Sequence, residues 1–479
     1  MSLATAAIRG AYFTSLALAS RQLISFLTIF YIARILSPAD FGVAAMVMVV
    51  VGLAQVIGDI GFSAGLVRTQ QSSSVAYSTC FWIGLGLGLI LTAALIISAP
   101  LAANFYGVDA IVPLLRVAAF GLLVNCCMPV PLAILQQRLG YKEIALAQAL
   151  GSFVGAITAV ACVTAGLGIW SLVLQPIVGN VLTLIIMLFQ TRWFPSREFS
   201  FNAVREILRD GFNLLGSGIS QYARNNFDTV VIGGTLSSKD LGIYSMTRTV
   251  LYAPNFLITS VVSRVIFPLL AKIQDDAPKV KTAILTATTR TGLLAFPLYL
   301  GLMVVADDFV LLAFGAHWLE MVPLLRVMIV PAMIQSIGHI AAPILVALGA
   351  SRTSLYLSVG SAVVYFAVLM SVISFGLNAV AYGYAATNSL IGVISIGLAL
   401  RQADIPLRVF VRAIARPVLL AAAMAACVFA LKLQIPWPPL WRISTLIGSG
   451  VVVYIGLIFC FEKTAWQQIT AAFSRKRQP

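Results

Sequence analysis

Runs of about 20 mostly apolar residues, the length a helix needs to cross hydrocarbon, recur along nearly the whole chain. That recurrence constrains the fold more than any motif, because it leaves no stretch long enough for a large soluble domain. Charged residues make up only 10% of the sequence, against roughly 25% in soluble proteins. Such a chain cannot cover a water-facing surface with polar side chains, so hydrocarbon must be its main solvent. The expected fold is all-α, a polytopic membrane protein of about fourteen transmembrane helices. The spans read as beginning near Ala11, Val43, Tyr77, Ile111, Ile144, Leu167, Phe212, Ile243, Ile284, Glu320, Thr353, Leu377, Arg412 and Trp441. The first run ends at Ala33-Arg34 without a cleavage site, so it reads as a span and not as a removable signal.

Loop chemistry separates the runs, most clearly at Leu36-Ser37-Pro38-Ala39-Asp40, Gln70-Gln71-Ser72-Ser73-Ser74 and Gln274-Asp275-Asp276-Ala277-Pro278. Charge in those loops sets the orientation. With both termini in the cytoplasm, the outer loops hold only Arg34, Lys239, Lys432 and Arg442, and most remaining Lys and Arg fall in inner loops. The net charge of +15 therefore reflects topology. It does not cluster as a nucleic-acid-binding face would require. The tail Arg475-Lys476-Arg477 is expected at the anionic inner leaflet. Between Thr191 and Gly211, apolar Phe201, Val204, Ile207, Leu208 and Phe212 recur at helical spacing, with Arg205, Glu206 and Arg209 opposite. That pattern suits an interfacial helix joining two halves. Cys80, Cys126, Cys127, Cys162, Cys427 and Cys460 all lie in apolar runs, far from His317 and His339, so no metal or disulfide framework is expected. Nothing in the sequence calls for a cofactor.

The halves match. Leu36-Ser37-Pro38-Ala39-Asp40-Phe41-Gly42 corresponds to Leu236-Ser237-Ser238-Lys239-Asp240-Leu241-Gly242. Val112-Pro113-Leu114-Leu115-Arg116-Val117 recurs identically at Val322 to Val327, and Gly166-Leu167-Gly168 aligns with Gly376-Leu377-Asn378. An even number of spans separates the copies, which implies a parallel repeat with a binding site between the halves, as in transporters. The expected organisation is an N-terminal six-helix lobe over 1–198, a linker helix over 199–211, a C-terminal six-helix lobe over 212–403, and an additional helix pair with a basic tail over 404–479.

Ala33-Arg34-Ile35-Leu36-Ser37-Pro38-Ala39-Asp40-Phe41-Gly42, followed by Asp59-Ile60-Gly61-Phe62, resembles the opening of bacterial polysaccharide flippases. These belong to the multidrug/oligosaccharidyl-lipid/polysaccharide exporter superfamily. The second half resembles them in Ala223-Arg224-Asn225-Asn226-Phe227-Asp228, Leu241-Gly242-Ile243-Tyr244 and Arg264-Val265-Ile266-Phe267-Pro268. The resemblance covers about the first 400 residues. It implies two six-helix lobes around a cavity that opens alternately to each side of the bacterial inner membrane. The implied cargo is an oligosaccharide on undecaprenyl diphosphate, destined for capsule, exopolysaccharide or O-antigen. The implied partners are that cargo, membrane lipids and the pathway's polymerase and export machinery. In the related peptidoglycan-precursor flippase the last two helices form a groove for the lipid tail, which makes Arg412 to Phe461 its counterpart here.

Eight basic residues lie within spans: Arg21, Arg116, Arg224, Arg248, Arg264, Arg290, Arg326 and Arg416. An Arg at the bilayer centre costs about 2.5–3.5 kcal/mol on insertion scales, so it must face protein, water or an anion. Arg264 and Arg416 are close enough to the inner end to reach headgroups, and the repeat-related Arg116 and Arg326 suit a structural role within the lobes. Arg21, Arg224, Arg248 and Arg290 remain as candidates for the diphosphate, whose oxygens a guanidinium can engage with two parallel bonds. Arg224 and Asp228 stand four residues apart and could neutralise each other. Asp228 and Asp59, the two buried acids, are the candidates for ion coupling. The outer acids Asp109, Asp307, Asp308 and Glu320 show no catalytic arrangement, and Asp307-Asp308 reads as a solvated loop end. A drug exporter of the same superfamily would favour an acidic, aromatic-lined cavity, and a membrane polymerase would carry a sizeable outer loop. Neither pattern is present.

Overall fold

A computed structural model of the protein describes residues 21–59, 61–68, 74–273 and 276–461, the side chains at 63, 64, 210, 212–214, 256–272 and 351 excepted. The expected span start near Ala11, the break at Gln70 to Ser73, the pair Gln274-Asp275, the Arg264 side chain and the tail Arg475-Lys476-Arg477 lie outside these residues. Every regular element among the described residues is helical. In chain order they are α1 (Arg21–Ala33), then α2 (Pro38–Asp59), α3 (Phe62–Arg68), α4 (Ser74–Tyr106), α5 (Ile111–Cys127), α6 (Pro129–Gln137), α7 (Tyr141–Thr164), α8 (Trp170–Thr191), α9 (Arg205–Thr235), α10 (Ser238–Ile273), α11 (Ala277–Ala313), α12 (Met321–Gly338), α13 (Ala341–Ala347), α14 (Ser351–Val372), α15 (Leu377–Gln402), α16 (Leu407–Gln434) and α17 (Pro439–Phe461). They fold as two compact units, Met1–Ser245 and Met246–Pro479.

Eleven spans among the described residues are long and apolar enough to cross a membrane, and two of them are helix pairs laid end to end, α5 with α6 and α12 with α13. The chain is thus a multi-pass membrane protein. The expected spans near Ala11, Phe212 and Ile243 are not among the eleven. The first is described only from Arg21 onward. The other two, α9 and α10, have 31 and 36 residues, ample length to cross at 1.5 Å per residue; α9 carries more polar side chains than its neighbours, and the side chains at 256–272 of α10 are outside the described ones.

Small residues set the helix spacing, as membrane packing requires where burial of apolar surface supplies no drive. At the α7–α8 crossing, a Cβ added to Gly151 would lie 2.5 Å from the Gly179 carbonyl oxygen. Only bare backbone fits there. A second cluster joins α3, α4 and α6 through Phe62, Leu66, Cys80, Val130 and Ile134, all buried. Val204 and Ile207 plug into it, and the Ser196 and Ser200 amides donate to the hydroxyls of Ser78 and Thr79, each at 3.0 Å. The segment after α8 is therefore strapped to α4. It enters a 3-10 turn at Phe201–Val204 and then runs without a break from Arg205 to Thr235. The expected linker helix and the seventh span are one helix, because Gly211 alone costs only about 1 kcal/mol and no proline follows to stop the turns.

The internal repeat is visible in local geometry. Ser37 and Asp40 close a reciprocal cap at the start of α2, with the Ser37 hydroxyl on Asp40 Oδ2 at 2.7 Å and the Asp40 amide on Ser37 Oγ at 3.3 Å. Ser237 and Asp240 repeat it before α10 at 2.6 and 3.1 Å. Gly166 and Gly376 both take positive φ, 78° and 87°. The paired spans α5–α6 and α12–α13 break at matching places, and each carries a half-buried amide contact just before its break: Asn180 Nδ2 to Asn125 Oδ1 and Gln335 Nε2 to Asn388 Oδ1, both 3.1 Å.

Asp307 and Asp308 are not a solvated loop end. Both lie inside α11, Asp308 is only 1% exposed, and both carboxylates are ion-paired. An aspartate pair near the end of an apolar run resembles a loop until Arg326 of α12 and two bases more than a hundred residues away, in α16 and α17, fold against it.

Candidate functional site

Of the candidate arginines, Arg21 and Arg224 belong to the first unit and Arg248 and Arg290 to the second. Arg21 opens the described part of α1 and is exposed, Arg224 and Arg290 are exposed, and Arg248 is half-buried. Exposure carries a specific meaning in a chain whose main solvent is hydrocarbon. A guanidinium on the protein surface at membrane depth must meet water, a headgroup or an anionic ligand.

The first unit shows how one of them is presented. Along α9, Ser217, Ser220, Gln221 and Arg224 are exposed at intervals of three and four residues, so they share one face of the helix. Arg224 Nη2 donates to Gln221 Oε1 at 2.5 Å along that face. The opposite side holds the helix in place. The Tyr222 hydroxyl donates to the Val49 carbonyl of α2 at 2.8 Å, and its ring fills the gap over Gly52. Phe105 and Tyr106, at the end of α4, cover Gly234 and Gly233. A polar ladder tipped with arginine is thus fixed by contacts behind it, an arrangement suited to a water-filled wall and unsuited to lipid.

Two expectations about acids change. Asp228 does not pair with Arg224. Its carboxylate accepts the Tyr244 hydroxyl at 2.6 Å and the Thr229 amide at 2.8 Å, and the residue is 2% exposed. Residues four apart lie on one side of a helix, but Asp228 sits where α9 meets α10 while Arg224 faces outward. The sequence offers no signal for the Tyr244 contact, sixteen residues on. Asp59 was expected to be buried in the second span. It closes the described part of α2 and is exposed.

In the second unit Arg290 stands on α11 between two interhelical hydrogen bonds. Thr289 Oγ1 donates to the Ala413 carbonyl of α16 at 3.3 Å, and the Tyr454 hydroxyl of α17 donates to the Leu293 carbonyl at 2.7 Å. Arg326, expected to be structural, bonds Asp307 at 2.6 Å. Its repeat partner Arg116 is exposed, as is Arg416. By sequence Lys432 and Arg442 read only as outer-loop charges. Each in fact contacts an aspartate of α11. Two bases beside the final apolar runs and two acids in an earlier one were the available signal, and no sequence spacing links them.

Known proteins share both sequence and fold with this chain. It is 26% identical over 345 residues to the lipopolysaccharide biosynthesis protein WzxC of Escherichia coli (strain K12), covering 71% of this chain and 69% of that protein. It is 29% identical over 302 residues to the succinoglycan biosynthesis transport protein ExoT of Rhizobium meliloti (strain 1021), covering 63% and 61%. The solved structure of the lipid II flippase MurJ, in an inward closed conformation, superposes with a TM-score of 0.77 over 94% of this chain and 98% of that one, at 15% identity. The fold is therefore that of a polytopic transporter. The family profile described as polysaccharide biosynthesis protein matches residues 31–323, well over half of the sequence. The chain belongs to the polysaccharide biosynthesis protein family.

Proposed function

We propose that the protein is a flippase. It moves undecaprenyl-diphosphate-linked oligosaccharide repeat units from the cytoplasmic to the periplasmic leaflet by alternating access, for exopolysaccharide, capsule or O-antigen synthesis. It works as a transporter and not as a catalyst, in the bacterial inner membrane, with both termini in the cytoplasm. The observation that carries this reading is the exposed, helix-spaced polar face of α9 ending in Arg224. A multi-pass chain has no use for such a face against lipid, and an anionic, water-soluble cargo group gives it one. The family, the word transport in the name of ExoT, and the flippase activity in the name of MurJ support the same reading.

Arg21, Arg224, Arg248 and Arg290 are the groups proposed to meet the diphosphate, and Asp228 and Asp59 the acids proposed to support them or to couple an ion. A single charge pair at about 4 Å and an effective dielectric near 20 is worth about 4 kcal/mol before desolvation, so one lost contact is felt. Each arginine changed singly to Ala should lower polymer export about tenfold or more in cells lacking their own copy. Arg→Lys should recover only part, because an ammonium keeps the charge but not the paired donors. Folded protein should remain at the wild-type level by gel filtration in detergent. Full export by all four Ala variants would refute the assignment.

A further inference from the structure

At the far end of α11 from Lys279, five ionised side chains from four helices converge. Asp307 Oδ2 accepts Arg326 Nη2 of α12 at 2.6 Å and Lys432 Nζ of α16 at 3.0 Å. Asp308 Oδ1 accepts Arg442 Nη2 of α17, and its Oδ2 lies 3.6 Å from Lys432 Nζ. Lys432 also donates to the Val304 carbonyl at 2.8 Å, so each of its three protons has a direction to point. The two buried atoms here without a hydrogen bond are Asp308 Oδ2 and Arg442 Nε, an acceptor and a donor on the same two residues.

We infer that Asp307 and Asp308 are positioning residues, the clasp that docks the C-terminal helix pair α16–α17 onto α11 and makes the three helices one body. Three observations support this. First, Asp308 is 1% exposed and the Lys432 side chain 16%, so these charges have left solvent and depend on one another. Second, the clasp reaches both helices of the pair: Lys432 brings in α16 and Arg442 brings in α17. Third, the same three helices are joined again at Thr289–Ala413 and Tyr454–Leu293. Two levels of attachment along one helix resist rotation, where a single level would act as a pivot. Arg290 stands within the lower level, so whatever it meets is met by a three-helix body and not by α11 alone. Docking is independent of the flippase reading and is measured without transport.

A disulfide reports the docking directly. A Cβ at Gly292 would lie 3.3 Å from Pro417 Cβ, near the separation a disulfide needs. In a background with Cys427 and Cys460 changed to Ser, the pair Gly292→Cys and Pro417→Cys should oxidise readily. Adding Asp307→Asn with Asp308→Asn, which keeps shape and removes charge, should lower the disulfide yield at least fivefold. Exchanging the charges, Asp308→Arg with Arg442→Asp, should restore a yield within twofold of the parent, a recovery that mere side-chain packing does not predict. Unchanged yield in the neutral variant overturns the inference. Should the neutral variant aggregate, the exchange variant decides alone: monodisperse and cross-linked supports the clasp, and folding no better than the neutral variant overturns it.

Discussion

Gly42→Ala is the perturbation for which the structure predicts a result opposite to helix propensity. Gly42 lies one turn into α2 and Gly242 one turn into α10, at matching places of the repeat. A Cβ built on Gly42 would fall 1.7 Å from the Ser238 carbonyl oxygen, and one on Gly242 would fall 1.7 Å from the Pro38 carbonyl oxygen. The two repeat copies thus touch backbone to backbone, each glycine facing the carbonyl that begins the other helix. In an exposed helix, Gly→Ala gains about 1 kcal/mol. Here the methyl meets fixed backbone, and the helices must part by roughly 2 Å to reach ordinary contact. Overpacking commonly costs about 1–3 kcal/mol, and with no flexible side chain to move aside the upper end applies. The net expectation is a loss of about 2 kcal/mol, read as a lower unfolding midpoint in detergent. Gly86→Ala in α4, where an added Cβ meets nothing within 4 Å, should instead leave the midpoint unchanged or raise it. Gly42→Ala with Gly242→Ala should cost well under the sum of the singles, because the separation that relieves one overlap relieves the other. A Gly42→Ala protein as stable as wild type, or strict additivity in the double variant, would refute the crossing.

Two further outcomes separate the acids. Tyr244→Phe removes a donor from the buried Asp228 carboxylate and should cost about 1.5–3 kcal/mol, whereas Arg224→Ala should leave the unfolding midpoint near wild type, since Arg224 bonds Gln221 instead; equal effects would contradict the observed partners. At the start of α11, hydrogen bonds from the Lys279 side chain and amide hold the Asp276 carboxyl below the usual carboxylate range. A depressed pKa stabilises at pH values above the ordinary carboxylate range, and that contribution is lost as the pH falls through the folded value. Hydrogen exchange corrected for intrinsic rate should therefore show the first turn of α11 losing protection on acidification, and Asp276→Asn should abolish that dependence.

Read alone, the sequence determined the solvent, the helical class, the duplication and the family, because each rests on properties that accumulate along the chain. Hydropathy adds over about 20 residues, and a repeat such as Val112 to Val117 at Val322 to Val327 needs no contact to be seen. The matching segments at Ser37 and Ser237 were legible as a loop break and its repeat, while the caps they make came from the structure. Tertiary structure alone decided how charges are matched. Asp228 turned to Tyr244 and not to Arg224, Asp59 lay exposed, and Asp307 with Asp308 became the centre of an ionic cluster reaching Lys432 and Arg442. An ion pair in a low-dielectric interior is set by distance and direction in space, and chain position fixes neither once helices from distant parts of the sequence pack together.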